Sequence, residues 1–169
     1  MAYTLYHIFE DSVYQGKNDA SGDTIIMRFT DDELEKLIIL DGAKGTYTPD
    51  SIASDMKSRI DYSADFIKYL LKDQKSDFKG NAFIEQDKTN LSSGFIKIDW
   101  QNNLLHALPN YQNDSLQKLN PPVIKEKDRD PMIGSEMIYN LKTKSGKIRK
   151  GKTKADDGHY TGDQIRNQS

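Results

Sequence analysis

The chain has 169 residues, of which 36% are hydrophobic and 30% charged, and its formal net charge is −2. This length fits one domain or one segment of a longer repeat array, and the polar composition favours a thin, elongated core. The negative charge argues against a general nucleic-acid-binding protein, which needs a basic surface to displace counterions. The sequence has no cysteine, which excludes disulfides and thiolate metal sites.

No stretch of the sequence approaches the roughly 20 apolar residues of a membrane helix. The start, Met1 to Phe9, lacks the basic region and the small-residue cleavage site of a signal peptide. From these features we expect either a cytosolic protein or a mature or excised piece of an exported one.

Five segments open with small or turn-forming residues and continue with apolar residues two positions apart. They begin near residues 21, 63, 92, 133 and 161, so the steps alternate between long and short. Periods of this size are typical of stacked repeats, and alternation buries one face of each strand. The pattern predicts an all-β fold, an elongated β-jellyroll or solenoid-like sandwich of short antiparallel strands. We expect residues 1–169 to form a single such domain or fragment.

Turn residues separate the predicted strands. Asp31-Asp32, Gln101 to Asn103 and Ser145-Gly146 predict tight reversals. Asp41-Gly42-Ala43 and Gly80-Asn81-Ala82 predict bulges or corners where the sheet bends.

Three other stretches have more ambiguous patterns. Residues 31–40 and 65–72 are compatible with short helices, but their place in the repeat favours strand, turn and strand. Residues 109–131 contain Asn120-Pro121-Pro122 and a charged run. Because proline cannot donate to a sheet ladder, we predict a loop-like insertion or an edge there.

The inward faces of the predicted strands form one apolar stripe. Its members are Ile25, Met27, Phe29, Ile67, Tyr69, Ile96, Ile98, Trp100, Met137, Tyr139 and Leu141. In a closed sandwich this stripe is simply core. In a sandwich whose two sheets splay apart, it lines a groove for acyl chains, and the sequence leaves both readings open.

Motifs for catalysis, cofactors or metals are lacking. The three histidines have no metal-ligand spacing, and no glycine loop suits a phosphate. Acid pairs such as Asp31-Asp32 and Asp156-Asp157 fit turns better than the paired carboxylates of a glycosidase. We therefore predict a non-enzymatic protein without cofactor or metal.

Basic residues concentrate between Lys142 and Lys154, where the sequence has no acid. A hairpin at Ser145-Gly146 would bring Lys144 near Lys147, and a phosphate-bearing partner would relieve their repulsion. The candidates for phosphate contact are Lys144, Lys147, Arg149 and Lys150. The alternative, a solvated outer face that blunts a sheet edge, is the favoured one.

Several of these segments together resemble a known family. Ser63 to Tyr69, Gly80 to Ile84, Ser93 to Asp99 followed by Leu104 to Ala107, and Gly134 to Ile148 are similar to the OstA/LptA-like β-jellyroll domain of lipopolysaccharide-transport proteins. This family includes the periplasmic N-terminal part of LptD-type proteins. The resemblance covers roughly residues 13–166, and no single motif in it is specific.

The resemblance implies a non-catalytic, periplasmic protein associated with the outer membrane. It implies lipopolysaccharide as ligand, with the acyl chains of lipid A shielded in an apolar groove. Other jellyroll domains of the transport bridge are the implied partners, joined by edge-strand pairing. No nucleic acid, cofactor or membrane-spanning segment is expected.

Two other functions stay open on the sequence. A β-solenoid carbohydrate-binding or adhesin-type module would present lines of exposed Tyr and Trp. A fragment of a sugar hydrolase would hold two carboxylates about 5 to 10 Å apart in a cleft.

Overall fold

The computed structural model describes residues 1–111, 118–155 and 158–167, and every regular element in these ranges is a β-strand. The strands are β1 (Ala2–Glu10), β2 (Val13–Gly22), β3 (Thr24–Thr30), β4 (Glu33–Pro49), β5 (Ile60–Leu70), β6 (Lys75–Gln86), β7 (Thr89–Asp99), β8 (Leu104–Leu108), β9 (Asn110–Tyr111), β10 (Lys118–Leu119), β11 (Val123–Glu126), β12 (Met132–Ile133), β13 (Glu136–Asn140), β14 (Ser145–Ala155) and β15 (Gly158–Asn167). The all-β prediction is confirmed.

All but two of these strands belong to one antiparallel sheet. Its order is β1-β2-β4-β5-β6-β7-β11-β12-β14-β13-β8, with β3 added to β4 and β15 added to β14. Strand β8 also pairs with β7, so the strands from β7 to β8 in this order form a closed circuit of pairings. Strands β9 and β10 pair separately with each other.

Each long strand contributes one end to each of two half-sheets, because the pairing register shifts near its middle. The shifts fall between Leu40 and Ala43, between Ser63 and Phe66, and between Lys79 and Ala82. Half-sheet A comprises β3, β8, β13 and residues 33–40, 66–70, 75–79, 95–99, 145–149 and 164–167 of the longer strands. Half-sheet B comprises β1, β2, β11, β12 and residues 43–49, 60–64, 82–86, 89–93, 151–155 and 158–162.

The two half-sheets face each other across the core. Tyr62 of half-sheet B meets Phe78 of half-sheet A edge to face, with ring centroids 5.4 Å apart. The largest fully buried side chains include Phe78, Leu37, Ile39, Ile60, Ile67, Ile96, Ile98, Leu105, Met137 and Leu141. Burying each such side chain stabilises the fold by about 1.5 to 3 kcal/mol.

The chain turns between half-sheets at the bulges that the sequence predicts. Asp41, Gly42, Gly80 and Asn81 have φ of 56°, 62°, 72° and 48°. Asp, Asn and Gly tolerate this left-handed backbone better than other residues do. These residues allow a single strand to bend and to pair in both half-sheets.

Two of the three predicted reversals are confirmed. Asp31 and Asp32 form a two-residue turn with φ of 52° and 63° between β3 and β4. Gln101 to Asn103 lie in the turn between β7 and β8.

The third predicted reversal, at Ser145-Gly146, is wrong. The turn spans residues 141–144, and β14 already begins at Ser145. The reason is local: Asn140 Oδ1 accepts hydrogen bonds from the backbone N–H of Lys142 at 3.0 Å and of Thr143 at 2.9 Å. The asparagine side chain thereby fixes the turn ahead of the glycine.

Residues 109–131 differ from the loop-like insertion that the sequence predicts. Strand β11 joins the main sheet between β7 and β12, and Ile124 is buried. Pro122 stands just before β11, where its missing N–H removes no ladder bond, and its carbonyl accepts from Gly134 N at 2.9 Å. Residues 112–117 of this segment lie outside the described residues.

Candidate functional site

A cavity of about 240 Å³ lies between the half-sheets, at the end formed by β1 and β2. Its lining comprises Tyr6, His7, Ile8, Phe9, Asn18, Tyr47, Tyr69, Leu70, Leu71, Gln74, Lys75, Ser76 and Trp100. We call it the tyrosine pocket. His7, Phe9 and Lys75 are exposed, so they border its mouth.

A second cavity of about 310 Å³ adjoins the tyrosine pocket. The two share Ile8, Phe9, Tyr47, Gln74 and Trp100 as lining residues. Ser54 and Met56, from the connection between β4 and β5, complete its wall. Both cavities therefore lie at this end of the jellyroll, beside a core in which Ile67 and Ile96 are fully buried.

Aromatic rings from both half-sheets form the walls of the opening. Tyr6 on β1 meets Tyr69 on β5 at 6.1 Å between centroids, with an interplanar angle of 74°. Tyr47 on β4 lies 5.6 Å from Trp100, which directly follows β7. Such pairs favour edge-to-face and tilted geometries, which fix the positions of the rings.

Polar groups are buried among these rings. Tyr62 Oη donates to Asn18 Oδ1 at 2.5 Å, and Asn18 Nδ2 donates to Tyr6 Oη at 2.6 Å. Trp100 Nε1 donates to Ser76 Oγ at 2.7 Å. A buried amide needs partners of this kind, since leaving it without a hydrogen bond costs free energy.

Tyr69 is the exception among these polar side chains. It is only 3% exposed, and among the described residues its hydroxyl has no hydrogen-bond partner of good geometry. Burial raises the pKa of Tyr69, and electrostatic repulsion from the neighbouring Tyr62 and Tyr6 raises it further. A buried unsatisfied hydroxyl costs on the order of 1 to 3 kcal/mol.

The tyrosines of this cluster are neutral at physiological pH. Burial is the main cause that raises the pKa of Tyr6 and Tyr69 well above the ordinary phenol value. It also raises the pKa of Tyr62 and Tyr47. Since the described lining of the tyrosine pocket includes no Asp or Glu, its interior presents neutral hydrogen-bonding groups.

Most of the predicted stripe lies in the core. Buried members are Ile67, Tyr69, Ile96, Ile98, Met137, Tyr139 and Leu141, and Ile25 and Trp100 are half-buried against them. Only Tyr69 and Trp100 line the tyrosine pocket. Contact of these residues with lipid stays a prediction.

Met27 and Phe29 depart from the buried stripe, with exposed fractions of 40% and 61%. Their strand, β3, pairs with β4 alone among the strands that the structure describes, so it lies at an edge. Strand alternation reports which residues share a face, but it does not report whether another strand covers that face. These two residues are therefore exposed at the sheet edge.

Sequence reasoning missed Tyr6, Asn18 and Tyr47, which supply the half-sheet B side of the pocket. Thr4, Tyr6 and Ile8 do alternate with exposed residues along β1. This alternation with a period of two could have predicted that β1 is a strand with Tyr6 on its inward face.

The basic segment is partly neutralised within the molecule. Lys144 Nζ forms an ion pair with Asp87, and Arg149 Nη1 lies 3.1 Å from Glu136 Oε2. Lys147 and Lys150 are exposed, and Lys147 pairs across the strand with Ile138 and Arg166. The predicted approach of Lys144 to Lys147 is wrong, because Lys144 lies in the turn and binds Asp87. Contact of these residues with phosphate stays a prediction.

Neither a metal centre nor a membrane helix emerges from the described ranges. No three His, Cys, Asp or Glu side chains in them are grouped so that they could hold a metal ion. Across the same ranges, no helix is long and apolar enough to span a bilayer.

Comparison with known proteins gives a match in structure but none in sequence. No protein-family model matches the chain, and no curated protein matches its sequence. The crystal structure of LptH from Pseudomonas aeruginosa superimposes with a TM-score of 0.54 at 8% sequence identity. The match covers 78% of this chain and 81% of LptH.

The fold is an LptA-like β-jellyroll. LptH is described as the LptA-homologous periplasmic component of the lipopolysaccharide transport device. At this level of identity the likeness to LptH establishes the architecture alone. The predicted fold class is thereby confirmed.

Proposed function

We propose that this chain is a non-catalytic, periplasmic lipopolysaccharide-binding domain that shields lipid A acyl chains during delivery to the outer membrane. The observation that supports this most is an LptA-like jellyroll with two adjoining cavities at one end, lined in part by aromatic rings. Exposing an acyl chain to water costs about 0.8 kcal/mol per methylene, so an apolar interior removes a large barrier to transfer.

The acyl chains enter at the tyrosine pocket and extend between the half-sheets. The half-buried residues at the opening, Ile8 and Trp100, supply its first apolar contacts. The charged part of the ligand stays in water at the mouth, where His7 and Lys75 are exposed. The proposal applies to the domain type that LptA-like proteins share with the N-terminal part of LptD-type proteins.

The partners are other jellyroll domains of a transport bridge, joined through sheet edges. Among the described strands, β1 pairs only with β2 and β3 only with β4 at one end of the sheet, and β15 pairs only with β14 at the other end. Unpaired strand edges accept a further strand by β-augmentation. Two exposed apolar residues lie on these edges, Leu5 on β1 and Phe29 on β3.

Site-specific photo-crosslinking on β1 tests the lipid proposal. One variant carries benzoylphenylalanine at Ile8, which lines both cavities, and the matched control carries it at Leu5, which is 43% exposed. After incubation with purified lipopolysaccharide and illumination, we expect a lipid adduct at position 8 and none at position 5.

Two results would contradict the proposal. Equal labelling at both positions would indicate nonspecific adsorption of lipid. Absence of labelling at both, with near-ultraviolet circular dichroism unchanged, would show a sealed core and favour a carbohydrate-binding module.

A further inference from the structure

The second cavity, which adjoins the tyrosine pocket, is lined by four side-chain amides, those of Gln15, Gln74, Gln101 and Asn103. Gln101 is exposed, and the other three residues are half-buried. None of the four amide groups is hydrogen-bonded to a residue that the structure describes. We call this cavity the amide pocket. Its amide groups are available to water or to a ligand, since polar groups at a protein surface satisfy their hydrogen bonds one way or the other.

Trp100 holds a fixed place among these amides. Its backbone N–H donates to the carbonyl of Gln74 at 2.9 Å, and its own carbonyl accepts from the N–H of Asn103 at 3.3 Å. The indole Nε1 donates to Ser76 Oγ at 2.7 Å, and the ring lies 5.6 Å from that of Tyr47. An aromatic surface and two amide-bearing residues are therefore positioned together before a ligand binds.

The backbone of Gln74 gives a further indication. Its φ is 49°, in the left-handed region, where the described residues are mostly Asp, Asn or Gly. Asparagine or glycine would adopt this conformation at a lower cost. Since Gln74 lines both cavities, its longer side chain places an amide at the junction between them.

The chemistry of the amide pocket narrows the ligand to an uncharged group that is rich in hydroxyls. An amide donates through its nitrogen and accepts through its oxygen, and a hydroxyl also does both, so the two pair in either direction. The charged residues of the described lining are Glu10 and Asp55, which disfavour a phosphate, although Lys142 pairs with Asp55 at 2.5 Å. The volume of about 310 Å³ lies within the roughly 300 to 1,000 Å³ of small-molecule sites.

A sugar ring attached to an acyl chain matches both cavities at once. A sugar carries hydroxyls around its rim and C–H groups on its faces, and such an apolar face packs against an aromatic ring. Trp100 and Tyr47 line both cavities, so a ring beside them in the amide pocket can extend its chain into the tyrosine pocket.

We propose that the amide pocket is a sugar-binding subsite, in which Trp100 packs against the ring and Gln15, Gln74, Gln101 and Asn103 bind its hydroxyls. This inference rests on the proposed function and deepens it. The jellyroll binds the uncharged sugar of an acylated ligand as well as its chain. A ligand with the same chain and no sugar fills the tyrosine pocket alone.

Two amphiphiles with the same eight-carbon chain test this proposal. One is octyl β-glucoside, and the other is tetraethylene glycol monooctyl ether, whose uncharged headgroup has no ring. Each is titrated below its micelle-forming concentration, and the fluorescence of Trp100, the sole tryptophan of the chain, reports binding. The proteins are wild type, Gln15→Met, Gln101→Met and the control Gln164→Met. Gln164 is exposed on β15 and lines neither cavity.

We expect wild type to bind the glucoside at least about fivefold more tightly than the ether, as one net hydrogen bond implies. Gln15→Met and Gln101→Met should each weaken glucoside binding by about the same factor and leave ether binding unchanged. Methionine keeps the length of the side chain and removes the amide. Gln164→Met should leave both affinities unchanged. Comparing two ligands across these variants separates the amide–hydroxyl interaction from general effects on the cavities.

The possible failures are distinguishable. If wild type binds the two amphiphiles equally, or if both cavity variants change the two affinities equally or not at all, sugar recognition is overturned while binding of chains stands. An equal loss of glucoside affinity in Gln164→Met also overturns it. If neither amphiphile alters Trp100 fluorescence in the folded wild-type protein, sugar recognition and the lipid-binding function are both overturned.

Discussion

At the scale of single residues, the interior shows a contrast between two neighbouring tyrosines. The Tyr62 hydroxyl donates to the buried Asn18, whereas the Tyr69 hydroxyl lacks a good partner among the described residues. The same chemical group should therefore contribute more to the stability of the fold at position 62 than at position 69.

We expect Tyr69→Phe to raise the free energy of unfolding by about 1 kcal/mol, since it removes an unsatisfied buried hydroxyl. Tyr62→Phe should lower it by about 1 to 2 kcal/mol, because Asn18 Oδ1 loses its donor. Urea denaturation of the ligand-free variants measures both. A stability loss in Tyr69→Phe as large as that in Tyr62→Phe would contradict the assignment of partners.

Asp87 supports a pH-dependent contribution to stability. Its hydrogen bonds with Lys144 and Ser58 lower the pKa of Asp87 below its ordinary value of 3.8. A lowered carboxyl pKa stabilises the fold above the unfolded-state pKa, and this stabilisation is lost as the pH falls through the folded-state pKa.

We therefore expect wild type to be more stable than Asp87→Asn at neutral pH and the difference to disappear as the pH falls through the lowered, folded-state pKa of Asp87. The pair is largely exposed, so the difference at neutral pH should be only a few tenths of a kcal/mol. Thermal unfolding of both proteins across this pH range measures it. A difference that persists at the acid end would exclude Asp87 ionisation as its origin.

At the scale of elements, the point where β7 crosses between half-sheets needs a residue without a side chain. A Cβ added at Gly94 in β7 would lie 2.4 Å from the backbone nitrogen of Asn110. A Cβ added at Gly162 in β15 would meet its nearest neighbour at 3.5 Å, an ordinary contact distance. The two glycines thus differ in how closely another strand approaches them.

Gly94→Ala should therefore destabilise the protein by about 1 to 3 kcal/mol, through overpacking against backbone that cannot rotate away. Gly162→Ala is the matched control and should change stability by less than about 0.5 kcal/mol. Chemical denaturation compares them. Equal costs would show that glycine is not required at position 94 for close approach.

The elements that the sequence predicted correctly are those with apolar alternation. In β7, Ile96 and Ile98 are buried and Lys97 is exposed, as their spacing predicts. The bulges at Asp41-Gly42 and Gly80-Asn81 could also be predicted from the sequence, because Gly, Asn and Asp are the residues that most readily adopt a left-handed backbone.

The hairpin of β1 and β2 was not predicted, and with it half of the tyrosine pocket was missed. The inward residues of β2 are Gly16, Asn18, Ala20 and Gly22. These are small or polar because large residues face them: the Tyr62 hydroxyl, for example, bonds to Asn18. A strand that accommodates its neighbours' side chains in this way leaves no apolar pattern in its own sequence.

At the scale of the whole molecule, the sheet formed by the described residues ends on unpaired edges that bear apolar side chains. Leu5 on β1 is 43% exposed and Phe29 on β3 is 61% exposed. Natural edges are often protected by charged residues, and lysine is the commonest of these.

If edges pair as we propose, the wild-type chain should self-associate as its concentration rises. The double substitution Leu5→Lys and Phe29→Lys should shift association to at least about tenfold higher concentration, which corresponds to about 1.4 kcal/mol. Sedimentation velocity over a concentration series measures this. An identical shift caused by lysines at the mid-sheet outward residues Leu104 and Ile138 would show that the edges are not the contact.

Each of the strands β4, β5, β6, β7, β14 and β15 runs through both half-sheets, and this sharing has a thermodynamic consequence. Neither half-sheet can unfold while the other stays folded, because every shared strand would have to be ordered at one end and disordered at the other. The molecule should therefore unfold in one all-or-none transition, with equal calorimetric and van't Hoff enthalpies. If the chain binds acyl chains as we propose, it cannot release them by unfolding one wall of the groove, and we expect release from the folded jellyroll.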